Sequence, residues 1–423
     1  MTTTRRVLKV VLWILAILVV LIVALGFYVN ATWDNPIERP VREMQASMDS
    51  VTIAHGEFLY KNRAMCWMCH SADGVNPNDA PSGGRVEDLS DFGPGFGRWY
   101  IPNITPDPET GIGQWTDGEL VRLLREGVKK DGRPVFIMPS ERFNGLSDDD
   151  VLAIVAYLRS LPPVRNPVPA HEPSLFAKAL FSFGVMKPQP AVTTPIATPP
   201  SGMTAEWGKY LTAHASLCMD CHSPVDLGTG QFYKDSVLVG GNFPFGKAGP
   251  GKPVDDPAFA FGKNLTPDEE TGIGTWTEED FLHAMRTGMR PDSVVVTNHM
   301  PYAYLGLWPE EDLRAVYAFL KTLPATKRSV GPTEFGPSIT NTIGIERGKA
   351  LFDTYCYLCH GMEGKGAPPT KLVLADLAQT IDDPTLKHFI AEGQINLRMP
   401  SFRKTLTTEQ IDDVVAYIRT LKK

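Results

Sequence analysis

The pentapeptide Cys66-Trp67-Met68-Cys69-His70 recurs as Cys218-Met219-Asp220-Cys221-His222 and as Cys356-Tyr357-Leu358-Cys359-His360. Together the three copies use all 6 cysteines of the chain. No other feature restricts the possible folds as much. On a helical turn, positions i, i+3 and i+4 share one face. Two thiols and an imidazole at that spacing form a c-type haem attachment site, in which both cysteines make thioethers and the histidine reaches the iron. A zinc knuckle is a fair rival for a single copy. Three copies with no cysteine left over favour three covalently bound haem c groups. Such attachment also implies assembly outside the cytoplasm, in a compartment such as the bacterial periplasm.

The three motifs predict a mainly α chain: three tandem cytochrome c-type helical haem domains behind an N-terminal transmembrane helix. Val10 to Val29 is apolar apart from Tyr28, long enough to cross a bilayer, and Arg5, Arg6 and Lys9 precede it. The expected organisation is an anchor (or uncleaved signal) over residues 1–30, domains over 50–163, 204–323 and 343–423, and linkers over 164–203 and 324–342. Residues beyond the span then lie on the periplasmic side of the inner membrane. A cleaved signal peptide is the rival; the apolar run exceeds a usual signal core, and no small-x-small site follows it directly.

Each domain opens on a glycine-containing helix that should run from Ile53 to Met65 in the first domain. The repeated pattern is Gly56-x-x-Leu59, Gly208-x-x-Leu211 and Gly348-x-x-Leu351. Each closes on a similar helix, Ala156-Tyr-Leu-Arg-Ser-Leu161, Ala318-Phe-Leu-Lys-Thr-Leu323 or Ala416-Tyr-Ile-Arg-Thr-Leu421. Ser147 before three acids marks the start of the first closing helix, and Pro162-Pro163 stops it. Glycine in the opening helix would let the closing helix approach, with its aromatic residue packed against it. Within the first linker, Leu175 to Val185 is apolar and should be helical, packing across the first two domains in preference to resting on a membrane.

A haem with one histidine ligand needs a second ligand or stays open. A Met-Pro pair lies between each attachment motif and its closing helix: Met138-Pro139, Met300-Pro301 and Met399-Pro400. One methionine is more often a core filler. Three in register with three motifs predict His70/Met138, His222/Met300 and His360/Met399 ligation, which raises the potential. His299 beside Met300 leaves bis-histidine ligation open for the second haem.

The first two domains share a further signature, Asn103-Ile-Thr-Pro-Asp-Pro-Glu-Thr-Gly-Ile-Gly-Gln-Trp115-Thr and Asn264-Leu-Thr-Pro-Asp-Glu-Glu-Thr-Gly-Ile-Gly-Thr-Trp276-Thr. It lacks EF-hand spacing and the strand and third glycine of a phosphate loop. The expectation is a haem-covering loop with Trp115 and Trp276 lining the pocket and Asn103 and Asn264 bonding a propionate. This loop, combined with Cys-x-x-Cys-His and Met-Pro over most of the chain after residue 50, resembles the triheme cytochrome c subunits of membrane-bound bacterial dehydrogenases. Those complexes oxidise alcohols, aldehydes, gluconate or sorbitol, with pyrroloquinoline quinone, flavin or molybdenum in a separate subunit. The resemblance implies proximal ligands His70, His222 and His360, and distal ligands Met138, Met300 and Met399. It also implies electron delivery to membrane quinone or an oxidase, with a periplasmic dehydrogenase catalytic subunit as partner. The family often has a cleaved leader, whereas this N-terminus has the character of an anchor.

In the shorter third domain, the carbonyl of Pro368 or Pro369 is expected to accept from the His360 ring. Arg398, Arg403 and Lys404 around Met399 should form a basic rim that steers an acidic partner. The formal charge of −7 gives no sign of a nucleic-acid surface. An electron relay without a catalytic site of its own is the leading function. A cytochrome subunit fixed in a respiratory oxidase or reductase, and a peroxidase-like enzyme with one open haem, are the alternatives. His214 and His283 are the nearest acid–base candidates for the last, and both read more simply as helix residues.

Overall fold

The computed structural model describes residues 3–422 apart from 73, 75, 91–94, 227–231, 234, 243, 246–257 and 368–369. A helix over Thr3–Thr32 leaves the large apolar side chains from Val7 to Tyr28 exposed and buries Val29 near its end, and its Val7–Thr32 portion is long and apolar enough to cross a membrane. Three helical units follow. Each is built on an opening and a closing helix in close contact: Ser50–Phe58 with Asp148–Ser160, Ala205–Ala213 with Glu310–Leu320, and Gly344–Tyr355 with Thr408–Ile418.

The repeated glycine explains why these pairs sit so close. A Cβ on Gly56, Gly208 or Gly348 would overlap the backbone carbonyl of Ala153, Ala315 or Asp413 in the closing helix. The aromatic residue one turn later then seals the crossing. The Cβ atoms of Tyr157, Phe319 and Tyr417 lie 3.0, 2.9 and 3.0 Å from where those added carbons would sit. Ser147 caps the first closing helix by accepting from Asp150 N–H. The first opening helix departs from the expected Ile53–Met65 span. It begins at Ser50 because the Asp49 carboxylate accepts from Val51 and Thr52 N–H, both at 2.9 Å. It then widens into a π-helical turn over Leu59–Arg63 that buries Leu59, Tyr60 and Arg63.

The linkers are docked. Glu172–Pro173 adds a third antiparallel strand beside Val86–Asp88 and Gly97–Tyr100, and Glu334–Phe335 does the same beside Pro244–Phe245 and Ala258–Phe261. The apolar linker segment is helical over Leu175–Ser182, but it does not bridge two units. It packs on the outer end of the N-terminal helix and on an aromatic cluster of Trp33, Phe96, Trp99, Phe136 and Phe181.

The first two units share one continuous core, into which Leu358 of the third attachment motif also reaches, while the rest of the third unit has its own core, to which Val295 and Met289 of the second unit contribute. Between the first two, buried Arg63 pairs with buried Asp312, which also accepts from Trp207 Nε1 at 2.7 Å. The Arg63 guanidinium lies over the rings of Phe58, Trp308 and Trp207 at 5.2, 5.4 and 5.7 Å. Tyr210 O–H crosses in the other direction to Asp150 Oδ2 at 2.5 Å.

Candidate haem-binding sites

Each attachment motif occupies a single helical turn: Trp67–His70, Cys218–His222 and Tyr357–His360. His70 N–H and His360 N–H donate to the Cys66 and Cys356 carbonyls at 3.0 Å, so the first cysteine and the histidine stack one turn apart. All six cysteines are half-buried residues, and burial raises the thiols of Cys66, Cys218, Cys221, Cys356 and Cys359. Burial pushes the His70 ring down to about 4, against the opposing pull of its bond to the Pro102 carbonyl, and pushes His360 down to about 4 as well. Burial also lowers His222. All three rings are therefore neutral at neutral pH, as an iron ligand must be.

His70 Nδ1 lies 3.0 Å from the Pro102 oxygen, and His222 Nδ1 lies 2.7 Å from the Lys263 oxygen. A carbonyl only accepts, so Nδ1 carries the proton and Nε2 keeps the lone pair. Such a bond orients the ring and raises its basicity toward a metal. Both acceptors immediately precede the asparagine of the repeated loop. Asn103 Oδ1 accepts from Thr105 N–H at 2.9 Å and Thr105 O–H at 2.7 Å, and its amide donates to Thr110 Oγ1 at 3.1 Å and the Val164 carbonyl at 2.7 Å. Asn264 repeats this with Thr266, Thr271 and the Thr326 carbonyl. These buried amides are spent within the fold, which corrects the expectation that they bond a propionate. They clasp the loop and the linker so that the carbonyl before them faces the histidine. The two aspartates of the loops, Asp107 and Asp268, are held below the usual carboxylate range by the hydroxyl and N–H of Thr110 and Thr271.

A cavity of about 810 Å³ opens on Cys221 and His222 and is also lined by Trp276, His299 and Met300. Tyr355 and Lys404 of the third unit contribute to its wall. A mostly apolar cavity that brings together the attachment cysteine, a neutral imidazole and a thioether fits a haem. His299 and Met300 both face it, and His299 Nδ1 lies 2.9 Å from Thr297 Oγ1. Met138 and Met300 occupy matching turns, followed by the short helices Ser140–Phe143 and Tyr302–Leu305. Met399 instead sits in a bridge with Gln394. Trp115 packs against the shared core.

One expectation about the third unit changes. Arg398 adopts a left-handed backbone with φ +61°, and its guanidinium turns inward to the Arg286 carbonyl at 3.2 Å. Arg403 pairs with Glu392 and Lys404 walls the second cavity, so the basic rim becomes largely an interface between units. Pro368 and Pro369 lie outside the described residues. Among the described residues His360 Nδ1 has no hydrogen-bond partner. Of the two acid–base candidates, His214 caps a helix and lies 3.1 Å from the Arg142 carbonyl, and His283 belongs to the helix Glu278–Thr287.

The reach between units had no sequence signal. Trp67, inside the first motif, lies 4.9 Å from the Tyr304 ring, four residues after Met300. Reciprocally, Arg142, four residues after Met138, donates to Met219 Sδ at 3.3 Å inside the second motif. Tyr302 is buried beside Cys356 and Cys359 of the third motif.

Residues 53–162 match the family model for cytochrome c, and residues 344–418 match that for cytochrome c oxidase, cbb3-type, subunit III. The cytochrome c subunit of the quinone alcohol dehydrogenase of Gluconobacter oxydans is 30% identical over 394 residues, covering 88% of this chain and 78% of that protein. The chain belongs to the cytochrome c subunits of membrane-bound quinone-dependent dehydrogenases. The fructose dehydrogenase cytochrome subunit of Gluconobacter japonicus is 24% identical, over 91% of this chain and 82% of that protein. A nicotinate dehydrogenase subunit of Pseudomonas putida is 28% identical over 84% of this chain, which spans only 29% of that protein's length. As a cytochrome c subunit this chain carries covalently bound haem c and serves electron transfer, and its cysteine pairs 66/69, 218/221 and 356/359 support that attachment.

Proposed function

We propose that this chain is a membrane-anchored, three-haem relay that passes electrons from a dehydrogenase catalytic subunit, on the periplasmic side of the inner membrane, to quinone or a terminal oxidase. The observation that supports the reading best is the segment Met300–Leu305, which carries the second site's methionine, lays Tyr304 4.9 Å from the Trp67 ring of the first attachment motif, and buries Tyr302 within electrostatic reach of Cys359 and Cys356 of the third. A chain whose second-site loop packs on the first attachment motif and lies near the third is suited to passing charge between them and needs no substrate pocket.

When bound, a haem with histidine and methionine ligands supplies a one-electron couple at raised potential. The residues of the chain set its surroundings. His70, His222 and His360 serve as proximal ligands through Nε2, with the Pro102 and Lys263 carbonyls fixing two of the rings. Met138, Met300 and Met399 serve as distal ligands, and Trp276 with the third unit excludes water from the second site. Each of the three helical units, over residues 50–163, 204–323 and 343–423, is then a haem domain.

The detergent-extracted chain should contain three haems, bind little carbon monoxide at neutral pH, and copurify with a catalytic dehydrogenase subunit. Two haems per chain, or a large carbon monoxide difference spectrum, would overturn the closed-relay reading. The match of residues 344–418 to an oxidase subunit favours a second reading, a cytochrome subunit of an oxidase complex. Copurification with an oxidase in place of a dehydrogenase would establish it.

A further inference from the structure

We propose that the linker turn carrying Phe183 and Val185, after the helix Leu175–Ser182, dips into the outer leaflet beside the N-terminal helix. It makes a second, interfacial membrane contact that fixes how the first haem unit stands on the bilayer. The inference rests on the anchor reading of Thr3–Thr32 and adds a contact that reading does not contain.

Depth follows from helix geometry. A helix rises about 1.5 Å per residue, so the roughly 30 Å hydrocarbon layer takes about 20 residues. Counted from Val10, the first residue of the apolar run, the layer ends near Val29, and Tyr28 stands at its outer boundary, a depth that suits an amphipathic ring. The Phe183 ring lies 6.1 Å from the Tyr28 ring and so shares that depth.

The linker helix Leu175–Ser182 is fastened there. Thr32 O–H donates to Ser182 Oγ at 3.0 Å, Ser182 O–H donates to the Val29 carbonyl at 3.2 Å, and Lys178 Nζ donates to Asn30 Oδ1 at 2.6 Å. One side of this helix is committed to the protein, with Ala177 buried and Phe176, Leu180 and Phe181 packed into the aromatic cluster. The other side leaves Leu175 54%, Phe183 58% and Val185 42% exposed, next to Phe27 at 74%. Gly184, at φ +67°, turns the chain at the tip and has nothing within 4 Å of an added Cβ. Lys187, exposed two residues beyond Val185, sits where anionic headgroups would meet it. The occupant this surface fits is therefore lipid, because its apolar residues continue the apolar surface of the span at the level where the span leaves the hydrocarbon.

The full haem-loaded chain provides the test, because thioether-bound native cysteines leave one introduced thiol free for a nitroxide label. Variants Phe183→Cys, Val185→Cys, Ile22→Cys and Val51→Cys are placed in nanodiscs of phosphatidylcholine and phosphatidylglycerol. Label accessibility to oxygen and to a water-soluble nickel chelate is then compared. All four positions are exposed, so an unchanged haem spectrum is expected for each. Positions 22, 183 and 185 should favour oxygen, and position 51 the nickel chelate. Oxygen preference at 22 with nickel preference at 183 and 185 would overturn the proposal and leave the anchor intact. Nickel preference at 22, 183 and 185 alike would overturn both.

Discussion

His70 and His222 each donate from Nδ1 to a backbone carbonyl, whereas His360 Nδ1 meets no partner among the described residues. The contrast follows the repeated loop. In the first two units an asparagine clasp joins the loop to a docked linker and delivers the preceding carbonyl to the ring. Among its described residues, the third unit lacks that loop, that sheet and that linker strand. The first two units also share a core, whereas the third joins it only through its attachment motif around Leu358 and otherwise has a core of its own. A duplicated signature thus came with a duplicated support system for the histidine, and with an interface closed by the buried pairs Arg63–Asp312 and Tyr210–Asp150.

The sharpest way to break the comparison is Arg63→Ala. It leaves Asp312 buried without its ion-pair partner and removes three ring contacts, at a cost of about 3–5 kcal/mol. Thermal unfolding should show the joint transition of the first two units falling while the third-unit transition stays in place. A uniform shift of both would mean that the three units fold as one.

Gly208→Ala and Gly348→Ala come next. Each added methyl overlaps a closing-helix carbonyl, so each should cost on the order of 3 kcal/mol. The first should lower stability of both leading units together, and the second that of the third alone, read by unit-specific hydrogen exchange. Equal protection loss across all units in both variants would refute separate cores.

Asn103→Ala should cost about 1–3 kcal/mol, because the Thr105 N–H and the Val164 carbonyl lose buried partners. With the loop loosened, His70 loses its hold on the Pro102 carbonyl, becomes a weaker donor, and the potential of its haem rises. A redox titration should show that rise in one component only, with the third-site potential unchanged. No shift would separate the clasp from the ligand.

The same contrasts explain what was legible in the sequence. The attachment motifs, the helix pairs, Ser147 and the close-packed glycines are local patterns, and all are found in the fold. Asn103 was singled out for the right loop but given the wrong partner, since its bond to the Val164 carbonyl depends on where the linker returns. The π turn at Leu59–Arg63 has no composition signal. The pairs Arg63–Asp312 and Trp67–Tyr304 join residues far apart in sequence, and no periodicity announces such a meeting.

Arg398 gives the smallest effect and the finest discrimination. As part of a basic rim it would steer an acidic partner, and its loss would flatten the ionic-strength dependence of electron transfer at the third site. Its side chain instead donates to the Arg286 carbonyl and lies against Gly306, partly buried between units. Arg398→Ala should therefore cost about 1 kcal/mol at the contact of the second and third units. It should leave the salt dependence of reduction unchanged in stopped-flow measurements, whereas Arg403→Ala, at an exposed position, would reduce it. If Arg398→Ala flattens the salt dependence as much as Arg403→Ala does, the inward orientation of Arg398 is wrong and the third unit presents a steering surface after all.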